Sequence, residues 1–270
     1  MKKIGFADFY ISEWHANNYP AWIAAASKEM GEDFAVAYVW AEQETSPVDG
    51  ITTAEWCAKF GAVQCESLEE LCERSDYIVI LAPSSPEKHL AYAEKVLSYG
   101  KNTYIDKTFA ADVAMADKIF AAAKANGTRF FSTSALRYAT ELAGLAPASF
   151  VCTTGGGRSL EEYIVHQAEM IVKLIREDVL TVEAAREGDV QRFFATFAGG
   201  KRAELAYAPS LGFSVGVDGA APVAVRSDFF KLLIADMLRF FLTGEASFEG
   251  CETMQVMRLR DAVLRAAEKT

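Results

Sequence analysis

The stretch that most limits how this chain can fold is residues 77–82, Tyr-Ile-Val-Ile-Leu-Ala, closed by Pro83-Ser-Ser-Pro86. It is apolar at successive positions rather than alternate ones. A run of this kind suits a strand buried on both faces, as in a parallel sheet covered by helices on each side. Comparable runs stand at 3–7, 34–40, 102–105 and 128–133, with a shorter candidate at 63–65. Between them the pattern turns helical. Residues 12–30 carry Trp14, Tyr19, Trp22, Ile23 and Ala26 at helical spacing, and Thr52-x-x-Glu55 and Ser67-x-x-Glu70 are capping boxes that open short helices. Further helices are expected at 87–98, stopped by Gly100, and at 111–125, stopped by Asn126-Gly127. Strands alternating with helices give an open, doubly wound parallel sheet, so residues 1–138 are expected to form a Rossmann-like domain of the dinucleotide-binding type.

After Tyr138 the grammar changes. A small-residue link at 141–147 precedes a strand at 149–153, and Gly155-Gly156-Gly157 leads into a helix at 159–176. Strand-like segments follow at 180–186, 190–198, 202–208 and 213–217, separated by Gly188-Asp189, Gly199-Gly200 and Asp218-Gly219. Consecutive strands with tight turns form an antiparallel sheet, so residues 139–270 are expected to be an α+β domain ending in helices at 228–242 and 253–269.

Composition narrows the function. Of 270 residues 51% are apolar, enough for two cores, and the formal charge of −10 argues against nucleic acid or an anionic membrane as partner. No apolar run approaches a bilayer span, and Asp8 interrupts the N-terminal stretch too early for a signal peptide. The five cysteines form no Cys-x-x-Cys pair and the three histidines no metal-ligand spacing, so a cytoplasmic protein with free thiols and no metal is expected.

In a doubly wound sheet ligands collect at the carboxyl ends of the strands. The first such loop reads Asp8-Phe-Tyr-Ile11 and has no glycine where a dinucleotide pyrophosphate would need close backbone approach. At the end of the second strand, where an acid usually holds a ribose, stand Tyr38 and Trp40, either strand aromatics or a platform for a ring. The loop from Ala82 holds Pro83, Ser84 and His89, and the strand at 102–105 ends on Asp106-Lys107. In the second half Glu162, His166, Glu169 and Lys173 share one helical face, opposite Leu160, Ile164, Ile171 and Ile175. That face is either solvated or an acid/base pair beside a ligand.

Asp76-Tyr-Ile-Val-Ile-Leu-Ala-Pro83, His89, Tyr99-Gly-Lys101, Asp106-Lys107-Thr108 and Arg137-Tyr138 together resemble the glucose–fructose oxidoreductase / inositol dehydrogenase / rhizopine catabolism (Gfo/Idh/MocA) family. Its usual pattern is D-x-V-x-I-x-T-P, then a His, then A-G-K-H-V-x-x-E-K-P; the last two helices are similar as well. The resemblance implies hydride transfer between NAD or NADP and a sugar, cyclitol or similar small polyol. It implies that Lys107 positions the reacting oxygen, His166 exchanges the hydroxyl proton and Glu162 orients His166. Asp8, Tyr38, Trp40, Pro83, Ser84, His89 and Asp106 would then line the cofactor, and the C-terminal sheet would allow a homo-oligomer such as a dimer. The chain departs from the family in its missing glycine fingerprint, in the aromatics at 38 and 40, and in Thr108, which removes the proline whose preceding bond is expected to be cis. The alternative is a non-catalytic member that binds a small ligand or a protein partner in its interdomain cleft.

Overall fold

The computed structural model of the chain describes residues 1–269. It divides into two compact units: Met1–Ser132 with Leu233–Ser247, and Thr133–Leu232 with the residues from Phe248 onward.

The first unit runs β1 (Lys2–Asp8), α1 (Trp14–Glu29), β2 (Phe34–Ala41), α2 (Thr53–Phe60), β3 (Val63–Gln64), α3 (Leu68–Arg74), β4 (Tyr77–Ile80), α4 (His89–Leu97), β5 (Thr103–Ile105), α5 (Val113–Asn126) and β6 (Phe130–Ser132). Its six strands lie in the order β3-β2-β1-β4-β5-β6 and every pairing is parallel, which is the doubly wound Rossmann sheet expected from the apolar runs. Ile4, Phe6, Ile78, Val79, Ile80, Tyr104 and Ile105 have no exposed surface, as strands covered on both faces require. The β1/β2 register slips between Ile4 and Gly5. A Cβ at Gly5 would stand 2.3 Å from Ser75 Oγ and 3.1 Å from Leu71, so only glycine lets β1 pass this close to α3. The helix expected over 87–98 is divided: Pro86–Lys88 is a 3-10 turn and α4 starts at His89.

The second unit runs β7 (Phe150–Gly155), α6 (Leu160–Ile175), β8 (Val179–Glu187), β9 (Val190–Phe197), β10 (Arg202–Tyr207), β11 (Ser214–Val217), β12 (Val223–Ala224), then α7 (Phe229–Thr243) and α8 (Gly250–Ala267). The sheet order is β12-β11-β7-β10-β9-β8, antiparallel except for β7 beside β10. The mainly antiparallel α+β reading therefore holds, with one parallel pair and a short β12 that the sequence pattern does not announce. Helices α6 and α8 supply the core: Ile164, Ile171, Ile175, Leu259 and Val263 bury against Phe193, Phe197 and Leu205 of the sheet. Gln167, fully buried, fixes α6 by accepting from Thr153 Oγ1 at 2.8 Å and donating to Ala206 O at 3.1 Å. A Cβ at Gly156 would meet Ala208 O at 2.0 Å, which explains a glycine-rich entry to this helix.

Helix α7 does not belong wholly to the second half. From Leu233 on it packs with the first unit, where Phe241 stacks on Tyr77 at 4.9 Å and Phe241 O accepts from Asn102 Nδ2 at 3.0 Å.

Candidate functional site

In the first unit the carboxyl ends of β1, β4 and β5 gather a group of polar side chains that are almost fully buried. Asp8 closes β1, and its Oδ1 accepts from the N–H of Phe9 at 2.7 Å and of Ala82 at 2.9 Å. Ala82 has φ +57°, a left-handed conformation costly for a residue with a Cβ, and the bond to Asp8 holds it there. Asp106 closes β5. Its Oδ1 accepts from Tyr104 Oη at 3.1 Å and Tyr19 Oη at 3.4 Å, and its Oδ2 lies 3.3 Å from His15 Nδ1. His15 Nδ1 is also 3.5 Å from Glu13 Oε2. Asp8 and Asp106 are each 1% exposed, and the second carboxylate oxygen of each has no hydrogen-bond partner among the described residues. Burial, followed by the charge of Glu13, pushes the Asp8 carboxyl well above the usual carboxylate range.

Lys107 is buried and donates to Pro83 O at 3.3 Å. Its peptide bond to Thr108 is cis, although the sequence reading expects the loss of proline to remove that bond. His89 cannot line a cofactor. Its ring is completely buried, with Nδ1 3.0 Å from Phe109 O and Nε2 against Leu81 O, so it ties the Ala82–Pro83 loop to the segment after Lys107. Burial lowers its basicity. Pro83 is buried beside Lys107 and Ser84 is exposed. Tyr38 lies beneath the Arg74 guanidinium, 4.3 Å from ring centre to Cζ, and Trp40 packs edge-on against Tyr92 at 5.3 Å. Both aromatics thus have partners within the unit. Tyr92 Oη in turn donates to Glu42 at 2.7 Å, and Lys88 pairs with the same carboxylate.

The helical face of α6 in the second unit is neither a solvated stripe nor a simple acid–histidine pair. Glu169 is 3% exposed and fully engaged: Oε1 accepts from Thr133 Oγ1 at 2.7 Å and Arg137 Nη1 at 3.1 Å, and Oε2 from Ser134 N at 3.3 Å. Arg137, also buried, bridges onward to Glu252 and lies 3.9 Å from the centre of the Phe248 ring. Burial drives the Glu169 carboxyl upward against the pull of Arg137. Lys173 donates to Arg137 O at 2.6 Å, and burial lowers its ammonium. His166 is half-buried; its Nδ1 is 2.6 Å from Ser134 Oγ, and Tyr163 and Phe213 pack edge-on to its ring. Glu162 accepts from Arg158 Nη2 at 2.6 Å and Nε at 3.0 Å. Sequence reasoning missed Glu13, His15, Tyr19, Ser134 and Glu252, whose partners are distant in the chain or whose roles have no local pattern.

The NAD(P) that such a sheet implies can be tested on the β1–α1 turn. Glu13 occupies the cap of α1: its two carboxylate oxygens accept the N–H groups of His15 and Ala16. These are the donors a pyrophosphate takes at a helix N-terminus. With Asp8 beside it and no glycine in the turn, the residues present do not fit a dinucleotide held in that manner.

Fold and sheet order together define a Rossmann-type parallel α/β unit followed by a mainly antiparallel α+β unit. Residues 16–134 match the sequence model of GFO_IDH_MocA, described as an oxidoreductase family with an NAD-binding Rossmann fold. The matched segment begins at Ala16, just after the turn that carries Asp8, Glu13 and His15. No curated protein matches the chain. Among solved structures it is similar to UDP-N-acetylglucosamine 3-dehydrogenase from Acidithiobacillus ferrooxidans, with TM-score 0.75 and 16% identity over 98% of this chain and 97% of that one. It is similar to aldose-aldose oxidoreductase from Caulobacter crescentus, with TM-score 0.75 and 17% identity over 99% and 98% of the two chains. It is also similar to biliverdin reductase from Synechocystis, with TM-score 0.71 and 15% identity over 98% of each. At these identities the likeness is one of fold. Among the described residues no group of His, Cys, Asp and Glu is placed to hold a metal ion, and no helix is long and apolar enough to cross a membrane.

Proposed function

We propose that this chain binds a small polyhydroxylated molecule of the sugar, cyclitol or polyol class and does so without NAD(P) in the pyrophosphate cradle of its fold. The observation that carries this reading is the contrast between a phosphate turn filled by Glu13 and two retained polar positions, Lys107 and His166, each fixed by a hydrogen bond to its own unit. A buried ammonium and an oriented imidazole are suited to hydroxyl and carbonyl oxygens. Asp106 adjoins Lys107 in the chain, and Glu162 stands one helical turn before His166.

Retention of those same two positions, together with the family match over residues 16–134, favours a second reading: NAD(P)-dependent oxidation or reduction at a CH–OH group of the same class of molecule, with Lys107, His166 and Glu162 at the reacting oxygen. The two readings part on one measurement. Thermal-shift screening against monosaccharides, cyclitols and linear polyols, with and without NADH and NADPH, is expected to return a ligand whose shift does not depend on cofactor. Lys107→Ala and His166→Ala should each weaken that ligand by about tenfold or more, as loss of a charge-assisted or well-aligned hydrogen bond does. A ligand shift that requires NAD(P)H, or a saturable calorimetric signal with either dinucleotide alone, would reject the first reading in favour of the second.

A further inference from the structure

The N-terminus of α1 has an unusual tenant. Capping residues are ordinarily Ser, Thr, Asp or Asn, whose short side chains satisfy one backbone N–H. Here the cap is a glutamate in extended conformation (φ −135°, ψ 171°), and the longer side chain folds back so that one oxygen takes His15 N at 2.8 Å and the other takes Ala16 N. Two of the first free donors of a sixteen-residue helix are thereby satisfied by a single carboxylate, at the end where the helix dipole favours negative charge. A phosphate group at a Rossmann β1–α1 turn is held by the same two features.

The surroundings agree with an internal anion. Asp8 lies at the end of β1 with its second oxygen buried and without a hydrogen-bond partner among the described residues, and its carboxyl is driven toward neutrality by burial and then by the charge of Glu13. His15, one of the two residues whose N–H groups Glu13 accepts, brings its ring nitrogen to both Glu13 and Asp106. An added pyrophosphate would therefore meet carboxylates where it needs donors, and Phe9-Tyr10 where it needs glycine.

We propose that Glu13 is the domain's own substitute for the dinucleotide phosphate: it fills the anion site of the Rossmann turn covalently from within the chain, and so commits the first unit to ligands that carry no phosphate. This rests on the reading of the chain as a cofactor-free binder and supplies the residue responsible. Substitution of that residue should reopen the site.

The test compares the wild-type protein with Glu13→Ser, which keeps a short cap, and with the double variant Asp8→Asn/Glu13→Ser, in which the amide oxygen introduced at position 8 still accepts from Phe9 and Ala82. Inorganic pyrophosphate and NADH are titrated by calorimetry and by quenching of tryptophan fluorescence. Wild type is expected to show no saturable binding of either up to millimolar concentration, and the double variant to gain affinity of at least about tenfold for pyrophosphate. Glu13→Gln, which keeps the size and loses the charge, should gain less. Saturable NADH binding by wild type overturns the proposal, and so does a folded double variant, verified by its melting transition, that binds pyrophosphate no better than wild type. Should Glu13→Ser fail to fold, Glu13→Gln alone decides in the same way. The polyol thermal shift is recorded on the same samples. Its absence with pyrophosphate binding gained would reject the proposed ligand class and leave Glu13 as the internal anion, whereas its presence without that gain would do the reverse.

Discussion

The two units each bury acidic side chains, and they treat them differently. In the second unit Glu169 is surrounded by Arg137, Thr133 Oγ1 and the Ser134 amide, so both oxygens are satisfied and its charge is opposed. In the first unit Asp8 and Asp106 are buried as deeply, yet each leaves one oxygen without a hydrogen bond among the described residues, and the nearby Glu13 has the same sign of charge. A buried charge with every partner in place costs little to keep and rigidifies its surroundings; one with partners missing is destabilising and persists where something other than stability selects it. By that criterion the Glu169–Arg137 network is a clamp that holds residues 133–137 to α6 and sets Ser134 against His166. The Asp8–Glu13–His15–Asp106 group lacks that full set of hydrogen bonds, as an internal anion kept for something other than stability would.

The comparison is broken most decisively at Arg137. Arg137→Met removes the cation from between Glu169 and Glu252 and leaves two carboxylates without it in a buried setting. It is expected to cost about 3–5 kcal/mol, the range for breaking a buried pair by deleting one member, and should be read as a drop in the urea midpoint with an unchanged slope. A loss below about 1 kcal/mol, the range of exposed pairs, would show that the network is not a clamp. Replacing Glu169 as well, by Gln, should recover part of the loss, because the amide can still accept from Thr133 and no longer needs a counter-charge.

How much of this the sequence can supply depends on how local each signal is. The Rossmann half is legible because strands buried on both faces must be apolar at every position, and 77–82 cannot be much else. The face of α6 is also legible, since helical periodicity alone puts Glu162, His166, Glu169 and Lys173 together. What periodicity cannot supply is a partner from another part of the chain. Arg137 and Glu252 turn half of that face into a buried network, and neither lies near it in sequence. Asp106 stands out beside Lys107, whereas its pairing with His15 and Tyr19 across the sheet ends leaves no local trace. Glu13 is hidden for a different reason. The missing glycines reveal that a phosphate loop is absent, but a glutamate is a weak signal for a helix cap, so its occupation of the same donors becomes visible only with the turn folded.

A second, smaller effect is expected at Gly5, where the two units differ in how their acids are positioned. Glu169 stands on a regular helix, whereas Asp8 ends a strand that slips register at Ile4/Gly5 and runs against Ser75 and Leu71. Gly5→Ala forces a Cβ to within 2.3 Å of Ser75 Oγ, so β1 or α3 must shift. The expected cost is about 1–3 kcal/mol, typical of overpacking. If the close approach of β1 is what sets Asp8 under the Ala82 amide, amide exchange at Ala82 should accelerate in this variant by more than exchange at Ser134, the corresponding amide on Glu169. Equal acceleration at both would mean that the change is a general loss of stability and not a displacement of Asp8.

The smallest and most discriminating effect concerns the sign of a pH dependence. The Asp8 carboxyl is raised in the folded chain by burial and by Glu13, so the native state keeps a proton that the unfolded chain releases once the pH passes the ordinary aspartate value of about 4. The native state then binds more protons than the unfolded one, and stability contributed by this group is fully present below that value and declines as the pH rises toward the raised one. Asp8→Asn removes the titration and keeps an acceptor for the Phe9 and Ala82 amides. The melting temperature of wild type should therefore fall relative to that of Asp8→Asn as the pH rises above about 4, with the variant becoming the more stable. Parallel profiles would mean that Asp8 does not keep the extra proton and is held as an anion after all. The first unit would then be a second clamp, and the difference between the two units in how they hold their buried acids would disappear.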